Sequence, residues 1–555
     1  MVVMSTSQPA VNSDVLETLA QLPNDEVFTA PSITRSMLDL LPDEVWSNPD
    51  LKWLDPVTKS GVFLREACSR LMAGLTEWQP DSLKRREHIL KNMLFGAAIT
   101  SLSGELARRT LYQSTDATGR TVQDKSVMPV FIKMANPNGN IQFVETAHTL
   151  KNGRCELCRA PAKLVRDSRE NFAYSFIHNT YPTNEMADMK FDVIIGNPPY
   201  QIGMEDAEGN RTKNITPLYN LFVDKAIKLN PKYVLMITPS RWFSGGKGLN
   251  EYRDRMLNDR RIRSIYDYAN AKEVFPGVEI KGGVSFFLWD RDYNGDCSFV
   301  QMSEGAAISE TTRDLRTGNG VVIRDNFAAE IVDKVLSATP AENTLADMVS
   351  PRDPFGPNIR TNFKGAESEP FEGSIPLVFK SKIGYINPSV LERNHHWVDQ
   401  YKVLIPKASD GRGGNESLSV LGEPIALAPG SACTQSYLVA GTFDTANEAT
   451  NYANYLTTKF VRFLVLQRKV SQDLTQSRFA FVPLLSMEKL WTDSELFELH
   501  GLTQDEILYI EKVISNRDWI NSIGSQIPET HLPGGRKYRP GDEEADEVDD
   551  DEFED

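Results

Sequence analysis

FDVIIGNPPY, the stretch from Phe191 to Tyr200, decides the fold. Its first half is apolar apart from one aspartate, which predicts a short buried strand. Gly196 and the two prolines end that strand, so we expect the sequence Asn-Pro-Pro-Tyr to lie at the carboxyl edge of a sheet. Ligands of open α/β sheets bind at this edge.

The tetrapeptide Asn197-Pro198-Pro199-Tyr200 offers two hydrogen-bond acceptors and an aromatic ring. An exocyclic amine is a poor nucleophile because its lone pair is delocalised into its ring. If the Asn197 side-chain oxygen and the Pro198 carbonyl each accept one N–H, the nitrogen is drawn towards tetrahedral geometry and its lone pair can face an electrophile. Tyr200 can stack on the ring. The alternative is an ordinary proline-stiffened turn after a strand.

Asn-Pro-Pro-Tyr after an apolar strand resembles the catalytic motif of S-adenosylmethionine-dependent amino methyltransferases. Adenine-N6 DNA methyltransferases carry it, as do some methyltransferases that act on protein glutamine or on RNA bases. The resemblance implies S-adenosyl-L-methionine as the cofactor. It also implies catalytic roles for Asn197, Pro198, Pro199 and Tyr200.

Two upstream segments resemble cofactor-binding parts of the γ class of these enzymes. Residues 26–42 form a Thr/Pro-rich turn and an amphipathic helix that Ser32 could cap. Residues 51–64 predict a strand, a turn and a helix, and look like the family's Asp-Pro-x-x-Gly-Ser-Gly-x-Phe loop with Lys59 in place of the first glycine. An ordinary strand-to-helix turn is the alternative. The resemblance implies cofactor contacts from Phe28, Thr29, Pro31, Asp55, Pro56, Ser60, Gly61, Phe63 and Asn197.

One feature of the family is missing after the predicted second strand, residues 94–100. An acidic residue normally stands there for the ribose hydroxyls of the cofactor, whereas this chain has Ala98 or Thr100, and Glu105 lies too far along. Together with Lys59, this departure keeps open a catalytically degenerate scaffold that acts as a DNA-binding or regulatory protein.

Helices and apolar strands continue to alternate after the motif, which is the doubly wound pattern. The predicted fold class is α/β, with a Rossmann-like methyltransferase domain at residues 26–300 and an α+β target-recognition domain at 301–535. An insertion is expected at about 115–180, a flexible N-terminus at 1–25 and a disordered acidic tail at 536–555. In the family the last strand supplies an aromatic that holds the target base beside Tyr200, so Phe286 and Phe287 are candidates, with core aromatics as the alternative.

The insertion contains Cys155-Glu156-Leu157-Cys158 between two histidines, His148 and His178. This Cys-x-x-Cys spacing can form half of a tetrahedral zinc site that a histidine completes. Only one such pair exists, whereas full zinc knuckles usually have two. Reduced cysteines without a metal are therefore the alternative.

The formal charge of −16 is concentrated at the end of the chain, because residues 541–555 contain eleven acidic residues and no basic one. Without them the charge is −5, and a body so close to neutral can carry a basic cleft. Basic and aromatic residues alternate in the C-terminal region, which is typical of a nucleic-acid surface, although a solvated helix face is the alternative. The residues in question are Lys380, Lys382, Lys402, Lys407, Arg412, Lys459, Arg462, Arg468, Lys469 and Arg478 with Phe379, Tyr385, Trp397, Tyr401, Phe460 and Phe463.

The sequence contains no run of 18 apolar residues, no secretory signal pattern and only five scattered cysteines. We therefore expect a soluble protein of a reducing cytoplasm with no membrane association, and the resemblance implies a bacterial or phage-infected host in which the protein is associated with the nucleoid. The predicted function is methylation of N6 of a flipped adenine in double-stranded DNA, in a restriction-modification or phage DNA-protection context. A separate restriction endonuclease or helicase subunit would supply cleavage. Cytosine-N4 methylation is an alternative that more often goes with serine at position 197.

Overall fold

The protein is described by a computed structural model that covers residues 28–118, 133–160, 174–180, 186, 188–205, 211–246, 248–278, 280–318, 320–339, 343–379, 382–408, 420–469 and 473–516. The predicted N-terminal and C-terminal tails lie outside the described residues. The chain divides into two compact units, the first ending at Arg316 and the second beginning at Thr317. The boundary expected after residue 300 instead falls within a strand of the first unit, Cys297–Ser303.

The first unit is built from alternating strands and helices. Its strands are β1 (Trp53–Thr58), β2 (Leu94–Ala98), β3 (Ile141–Gln142), β4 (Leu150–Lys151), β5 (Arg154–Cys155), β6 (Val193–Gly196), β7 (Gln201–Glu205), β8 (Arg211–Pro217), β9 (Tyr233–Pro239), β10 (Ile262–Tyr268), β11 (Val284–Asp290), β12 (Cys297–Ser303) and β13 (Ala306–Arg313). Its helices are α1 (Pro31–Leu38), α2 (Glu44–Ser47), α3 (Val62–Gly74), α4 (Ser82–His88), α5 (Ser101–Tyr112), α6 (Tyr219–Lys228) and α7 (Asn250–Asn258), and a π-helical turn spans Ile89–Met93.

Nine of these strands form one mixed sheet in the order β13-β12-β10-β11-β9-β6-β1-β2-β3. The five strands from β9 to β3 are parallel to one another, whereas β11 is antiparallel to both β9 and β10. The predicted doubly wound α/β fold is therefore confirmed. Since β11 is antiparallel to both of its neighbours, β10 runs in the same direction as β9. The carboxyl ends of β1, β6, β9 and β10 therefore all lie at one edge of the sheet.

The central strands are buried along their whole length, in β1, β6 and β9 alike. Such strands are typical of a sheet whose two faces are both covered by helices. At their amino ends β1 and β6 are joined by Asp192, whose carboxylate accepts the backbone N–H of Lys52 at 2.8 Å while its own N–H donates to the Lys52 carbonyl at 2.8 Å. This pairing sets the register in which Trp53 lies opposite Val193.

Two expectations for this unit need correction. The predicted insertion is not wholly separate from the sheet, because β3 pairs with β2 and forms its edge strand. The polar, glycine-bearing segment from Gln201 to Asn214 predicts a loop that could close over a substrate, but its described residues belong to the hairpin β7–β8. Backbone pairing of Gln201 with Pro217 closes that hairpin, a pairing that the polar and glycine-bearing sequence did not indicate.

The second unit is α+β, as predicted, with two small sheets and a group of helices. Its strands are β14 (Ile375–Val378), β15 (Ile383–Ile386), β16 (Tyr401–Pro406), β17 (Ile425–Leu427), β18 (Ala432–Cys433) and β19 (Tyr437–Phe443). They form the sheets β15-β14-β18 and β17-β16-β19. Its helices are α8 (Asn326–Ala338), α9 (Ala446–Thr457), α10 (Lys459–Leu466), α11 (Asp493–Leu499) and α12 (Gln504–Val513).

The apolar spacing from Asn447 to Lys469 predicts one helix, but this segment forms two helices. Thr458 interrupts it with an extended backbone, and its hydroxyl accepts the N–H of Val461 as the N-cap of α10. Helices α9 and α10 bury Tyr452, Tyr455 and Phe463 in the larger core of this unit. None of the described helices is both long enough and apolar enough to cross a lipid bilayer.

Candidate active site

Asn197 follows β6 directly and contacts a residue from the start of the described chain. Its side-chain nitrogen donates to the Thr29 hydroxyl at 3.0 Å, and both residues are 3% exposed. The two positions are 168 residues apart in sequence. This bond orients the Asn197 amide, because its oxygen must then point away from Thr29.

The segment that carries Thr29 leads into α1. Pro31 occupies the first turn of this helix, where a missing N–H costs nothing, and Ala30 is the N-cap residue. The predicted cap at Ser32 is therefore wrong, because Ser32 already lies within the helix. Thr29 and Pro31 are buried, and Phe28 is half-buried.

Asp55 and Pro56 lie within β1, beside the strand that carries the motif. The Asp55 carboxylate accepts the N–H of Val57 at 3.1 Å, and it would contact a Cβ placed on Gly196 at 3.1 Å. Burial raises the pKa of Asp55 to about 7, although the Val57 N–H and the Lys59 charge oppose the shift. Near neutral pH this carboxyl group can therefore exist in either form, and its ionised form can counter a bound cation.

The turn between β1 and α3 requires a glycine at position 61. Gly61 has φ +77°, and a Cβ on it would lie 2.9 Å from the backbone of Ala107. The turn brings Lys59 and Ser60 into buried positions, and Phe63 packs into the core from the first turn of α3. The backbone N–H groups at the start of this helix of 13 residues form a place where an anionic group can bind.

The end of β2 has no carboxylate, as the sequence indicated. Ala98 is buried in the core, and Thr100 caps α5 through a reciprocal pair of bonds with Ser103. Glu105 lies one turn further along α5 and is exposed. The Thr100 side chain therefore has a structural role in helix capping.

Tyr200 is the last residue of the motif and packs against an aromatic that sequence reasoning missed. Its ring meets the Phe275 ring edge-on, with centroids 6.2 Å apart. The enclosed hydroxyl of Tyr200 has no hydrogen-bond partner among the described residues, and burial raises the pKa of this phenol well above its usual range. Phe275 follows β10 at the same edge of the sheet, so an aromatic after a parallel strand was the signal available in the sequence.

The predicted base-holding aromatics, Phe286 and Phe287, lie inside the sheet rather than at the edge that carries the motif. Both are fully buried within β11, where they pair with Ile237 and Met236, two to three residues inside the sheet edge. Phe286 stacks on Tyr266 with ring centroids 5.1 Å apart. They are core aromatics, the alternative that the sequence left open, because an internal strand directs its side chains into the helical layers.

A second polar contact lies at the same edge, beyond β9. The Ser240 hydroxyl donates to the Asp267 carboxylate at 2.8 Å, and both side chains are buried. Ser240 also donates its backbone N–H to the Gly283 carbonyl at 3.0 Å. These bonds join the ends of β9, β10 and β11 around the edge that carries the motif.

The predicted zinc residues come together in the first unit. His148, Cys155, Cys158 and His178 each offer a ligand atom, and these atoms all lie within 4.8 Å of one another. Both cysteines are buried and neither forms a disulfide.

Part of the basic and aromatic pattern of the second unit lies inside the fold rather than on a surface. Lys402 is fully buried and Arg462 is 2% exposed, and both donate to backbone carbonyls. Phe379, Phe460 and Phe463 are buried too. Composition does not distinguish a cation on a surface from one that caps carbonyls inside a core. Lys380 and Arg412 lie outside the described residues.

The edge residues of the first unit fit a ligand with the charges of S-adenosylmethionine. Its cationic groups match the buried Asp55 carboxyl, and its carboxylate matches the N-terminus of α3. The enclosed Tyr200 hydroxyl leaves one polar group that a ligand or water must satisfy.

Comparison with known proteins identifies a family model and a curated relative. Residues 92–275 match the model described as Eco57I restriction-modification methylase. The chain is 35% identical over 367 residues to an "uncharacterized adenine-specific methylase" of Mycoplasma pneumoniae, which covers 60% of this chain and 86% of that protein.

Similarity to solved structures is weaker. A modification subunit of a putative type I restriction enzyme from Vibrio vulnificus is 17% identical with a TM-score of 0.31, over 51% of this chain and 48% of that one. This chain thus spans about half of that subunit. The type IIL restriction-modification enzyme MmeI, solved in complex with DNA, is 11% identical with a TM-score of 0.41, over 89% of this chain and 74% of that one.

Proposed function

This chain belongs to the family of adenine-specific restriction-modification methylases, and from that premise we propose that it methylates N6 of adenine in double-stranded DNA. S-adenosyl-L-methionine, the general methyl donor of such enzymes, supplies an electrophilic methyl group when bound. The contact between Thr29 and Asn197 carries the proposal, because it joins the segment expected near the cofactor to the residue expected to hold the amine.

Asn197 and Pro198 act on the adenine amine. Each carbonyl oxygen accepts one N–H of N6, so the nitrogen lone pair is turned out of conjugation towards the methyl donor. Thr29 fixes the Asn197 amide so that its oxygen faces away from the Thr29 hydroxyl. Holding both reactants in line accounts for much of the rate gain.

Tyr200 holds the base, and Phe275 supports Tyr200. An adenine reaches this depth only when it leaves the duplex, which costs roughly a few kcal/mol. Stacking on the Tyr200 ring offsets part of that cost, since base–aromatic stacking contributes about 1–3 kcal/mol. The edge-on contact with Phe275 restricts the orientation of the Tyr200 ring.

Asp55, the backbone turn at Ser60 and Gly61, and the buried segment at Thr29 hold the cofactor. The Asp55 carboxyl group is ionised above about pH 7 and then counters positive charge. The backbone N–H groups at the N-terminus of α3 bind the negatively charged carboxylate of the cofactor. We assign no residue to the ribose, because the carboxylate usual after β2 is absent. The second unit is proposed to recognise the DNA target, and a restriction or helicase subunit would be a separate chain.

The test uses purified full-length protein, labelled S-adenosylmethionine and mixed-sequence duplex DNA, followed by digestion to nucleosides. The expected product is N6-methyladenine. Asn197→Ala should reduce the turnover number at least about 100-fold, because a preorganised hydrogen-bonding group at the reacting atom is lost. Asn230→Gly is the matched control, since Asn230 also precedes a proline but lies at the amino end of β9 with φ +53°.

Three outcomes would contradict the proposal. N4-methylcytosine as the product would show that the enzyme methylates cytosine rather than adenine. Cofactor binding that is undetectable even with DNA present would indicate the degenerate, regulatory scaffold that the missing carboxylate after β2 keeps open. Unchanged turnover in Asn197→Ala would remove the mechanism itself.

A further inference from the structure

Two buried cysteines and two half-buried histidines form a group in the segments between β3 and β6. His148 precedes the hairpin β4–β5, Cys155 ends β5, Cys158 follows in the next turn, and His178 comes from the separate segment 174–180. The Cys158 sulfur and His148 Nδ1 are 3.4 Å apart. The two imidazole rings lie 4.8 Å apart, centroid to centroid, at an interplanar angle of 71°.

We propose that His148, Cys155, Cys158 and His178 bind one structural zinc ion. A tetrahedral zinc with bonds of about 2.3 Å to sulfur and about 2.0 Å to nitrogen separates its ligand atoms by about 3.3–3.8 Å. The 3.4 Å separation of Cys158 and His148 already matches an edge of that tetrahedron. The largest separation, within 4.8 Å, requires only small side-chain movements. Two thiolates and two neutral imidazoles also balance the charge of Zn²⁺, which suits a buried site.

The backbone around the cysteines is shaped to hold two sulfurs together. Asn152 and Gly153 turn the hairpin with φ of +51° and +76°, and Arg159 has φ +61° directly after Cys158. The Cys155 N–H donates to the Ala160 carbonyl at 2.8 Å, and the Arg159 N–H donates to the Cys155 carbonyl at 3.1 Å. This tight turn directs both cysteine side chains towards one point.

Hydrogen bonding alone does not account for the group. The contact between Cys158 and His148 uses one thiol and one imidazole. His178 Nε2, however, is buried and has no hydrogen-bond partner among the described residues. A metal at the centre gives the second histidine a partner and explains why two thiols and two imidazoles from two segments converge.

The zinc would connect two short segments that have little core of their own. Strands β4 and β5 contain two residues each. Segment 174–180 packs on α6, where Tyr174 and Phe176 contact Phe222 with ring centroids 5.7 and 6.0 Å apart. Bonds through His178 therefore link the hairpin to the helix that follows the motif and its hairpin β7–β8. Small elements of this kind commonly depend on a metal for stability.

The test is metal analysis of full-length protein purified without chelators and dialysed extensively. We expect close to one zinc per chain and expect Cys158→Ser and His178→Gln to lose it. Cys297→Ser is the matched control, because Cys297 is equally buried in the same unit but lies outside the group, and it should retain zinc. Replacing the ion with Co²⁺ should produce the intense visible absorption of a tetrahedral thiolate site.

The wild-type measurement makes the proposal falsifiable even if a variant fails to fold. Less than half an equivalent of zinc after expression in zinc-supplemented medium, with no cobalt spectrum, would overturn it. A stoichiometric content that Cys158→Ser and Cys297→Ser both retain would also overturn it, since the metal would then lie elsewhere. Neither result depends on whether the protein methylates DNA.

Discussion

In the first unit, polar side chains from distant parts of the chain meet at one sheet edge, where Thr29 contacts Asn197 and Asp55 lies beside Gly196. In the second unit, by contrast, Lys402 and Arg462 lie within the fold and donate to nearby backbone carbonyls. Motifs at strand ends in the sequence indicated the first arrangement. The composition of the second unit is typical of a DNA-binding surface and did not indicate that these two cations are buried. Position relative to a strand end is therefore a better guide than residue type to which polar side chains meet.

The largest expected effect compares alanine substitutions at two glycines with similar φ, one in each unit. Gly61→Ala should lower the free energy of unfolding by roughly 3 kcal/mol or more, because it combines positive-φ strain with overpacking. Its Cβ would lie 2.9 Å from the Ala107 backbone at φ +77°. Gly373→Ala in the second unit, at φ +74° with open space around it, should cost only about 1–2 kcal/mol. Calorimetric unfolding of both variants measures this difference, and equal losses would contradict it.

Lys402→Met tests whether the buried Lys402 charge affects the stability of the fold rather than the binding of DNA. Burial lowers the pKa of Lys402 to about 8 from 10.5, so the unfolded chain binds the proton more tightly than the folded one. Stability should therefore rise with pH between about 8 and 10.5. Below pH 8 the full cost of burying the charged Lys402 ammonium group should apply. At pH 7 we expect Lys402→Met to stabilise the protein by about 1–3 kcal/mol and to remove this pH dependence.

The control for that prediction is Lys382→Met, since Lys382 is half-buried and should change stability by less than about 0.5 kcal/mol. Chemical denaturation at pH 7 and pH 10 gives the comparison. DNA affinity measured at low salt should be unchanged in Lys402→Met. If Lys402→Met lowered the DNA affinity as much as removal of an exposed lysine does, Lys402 would have to be assigned to the DNA-binding surface.

The smallest effect distinguishes two phenylalanines of the first unit. Phe275→Leu and Phe286→Leu should each lower stability by about 1 kcal/mol, because both remove part of a buried ring. Only Phe275 contacts Tyr200, so only Phe275→Leu should reduce methyl transfer, by roughly 3- to 10-fold. Steady-state kinetics on duplex DNA measures the difference. Equal activity of the two variants would mean that Phe275 is an ordinary core residue.

Much of the first unit could be predicted because its elements are encoded locally. The strand ending at Gly196 and the strand-turn-helix around Gly61 both follow from apolar runs that end at glycine or proline. The sequence shows an aromatic, Phe275, after a strand, but its contact with Tyr200 depends on the order of β10 and β11 in the sheet, which no local pattern gives. The hairpin β7–β8 was missed because its pairing comes from the backbone.

The metal group shows the same division in one small region. The Cys155 and Cys158 pair was visible as a local spacing. The position of both His148 and His178 beside the two cysteines depends on packing between segments. This packing includes the contacts of Tyr174 and Phe176 with α6. In the second unit, the burial of Lys402 likewise depends on neighbours that no local pattern identifies.

The bond between Thr29 and Asn197 has a consequence for biosynthesis. The ribosome makes Thr29 168 residues before its partner, which at about 5–20 residues per second is a delay of roughly 8–34 seconds. For most of that interval α1 and β1 have already been made but lack β6, their neighbour in the finished sheet, and their apolar faces need protection from other nascent chains. Assembly of this centre must therefore be a late, long-range event, and conditions that slow translation between these two positions should increase aggregation of the unfinished chain.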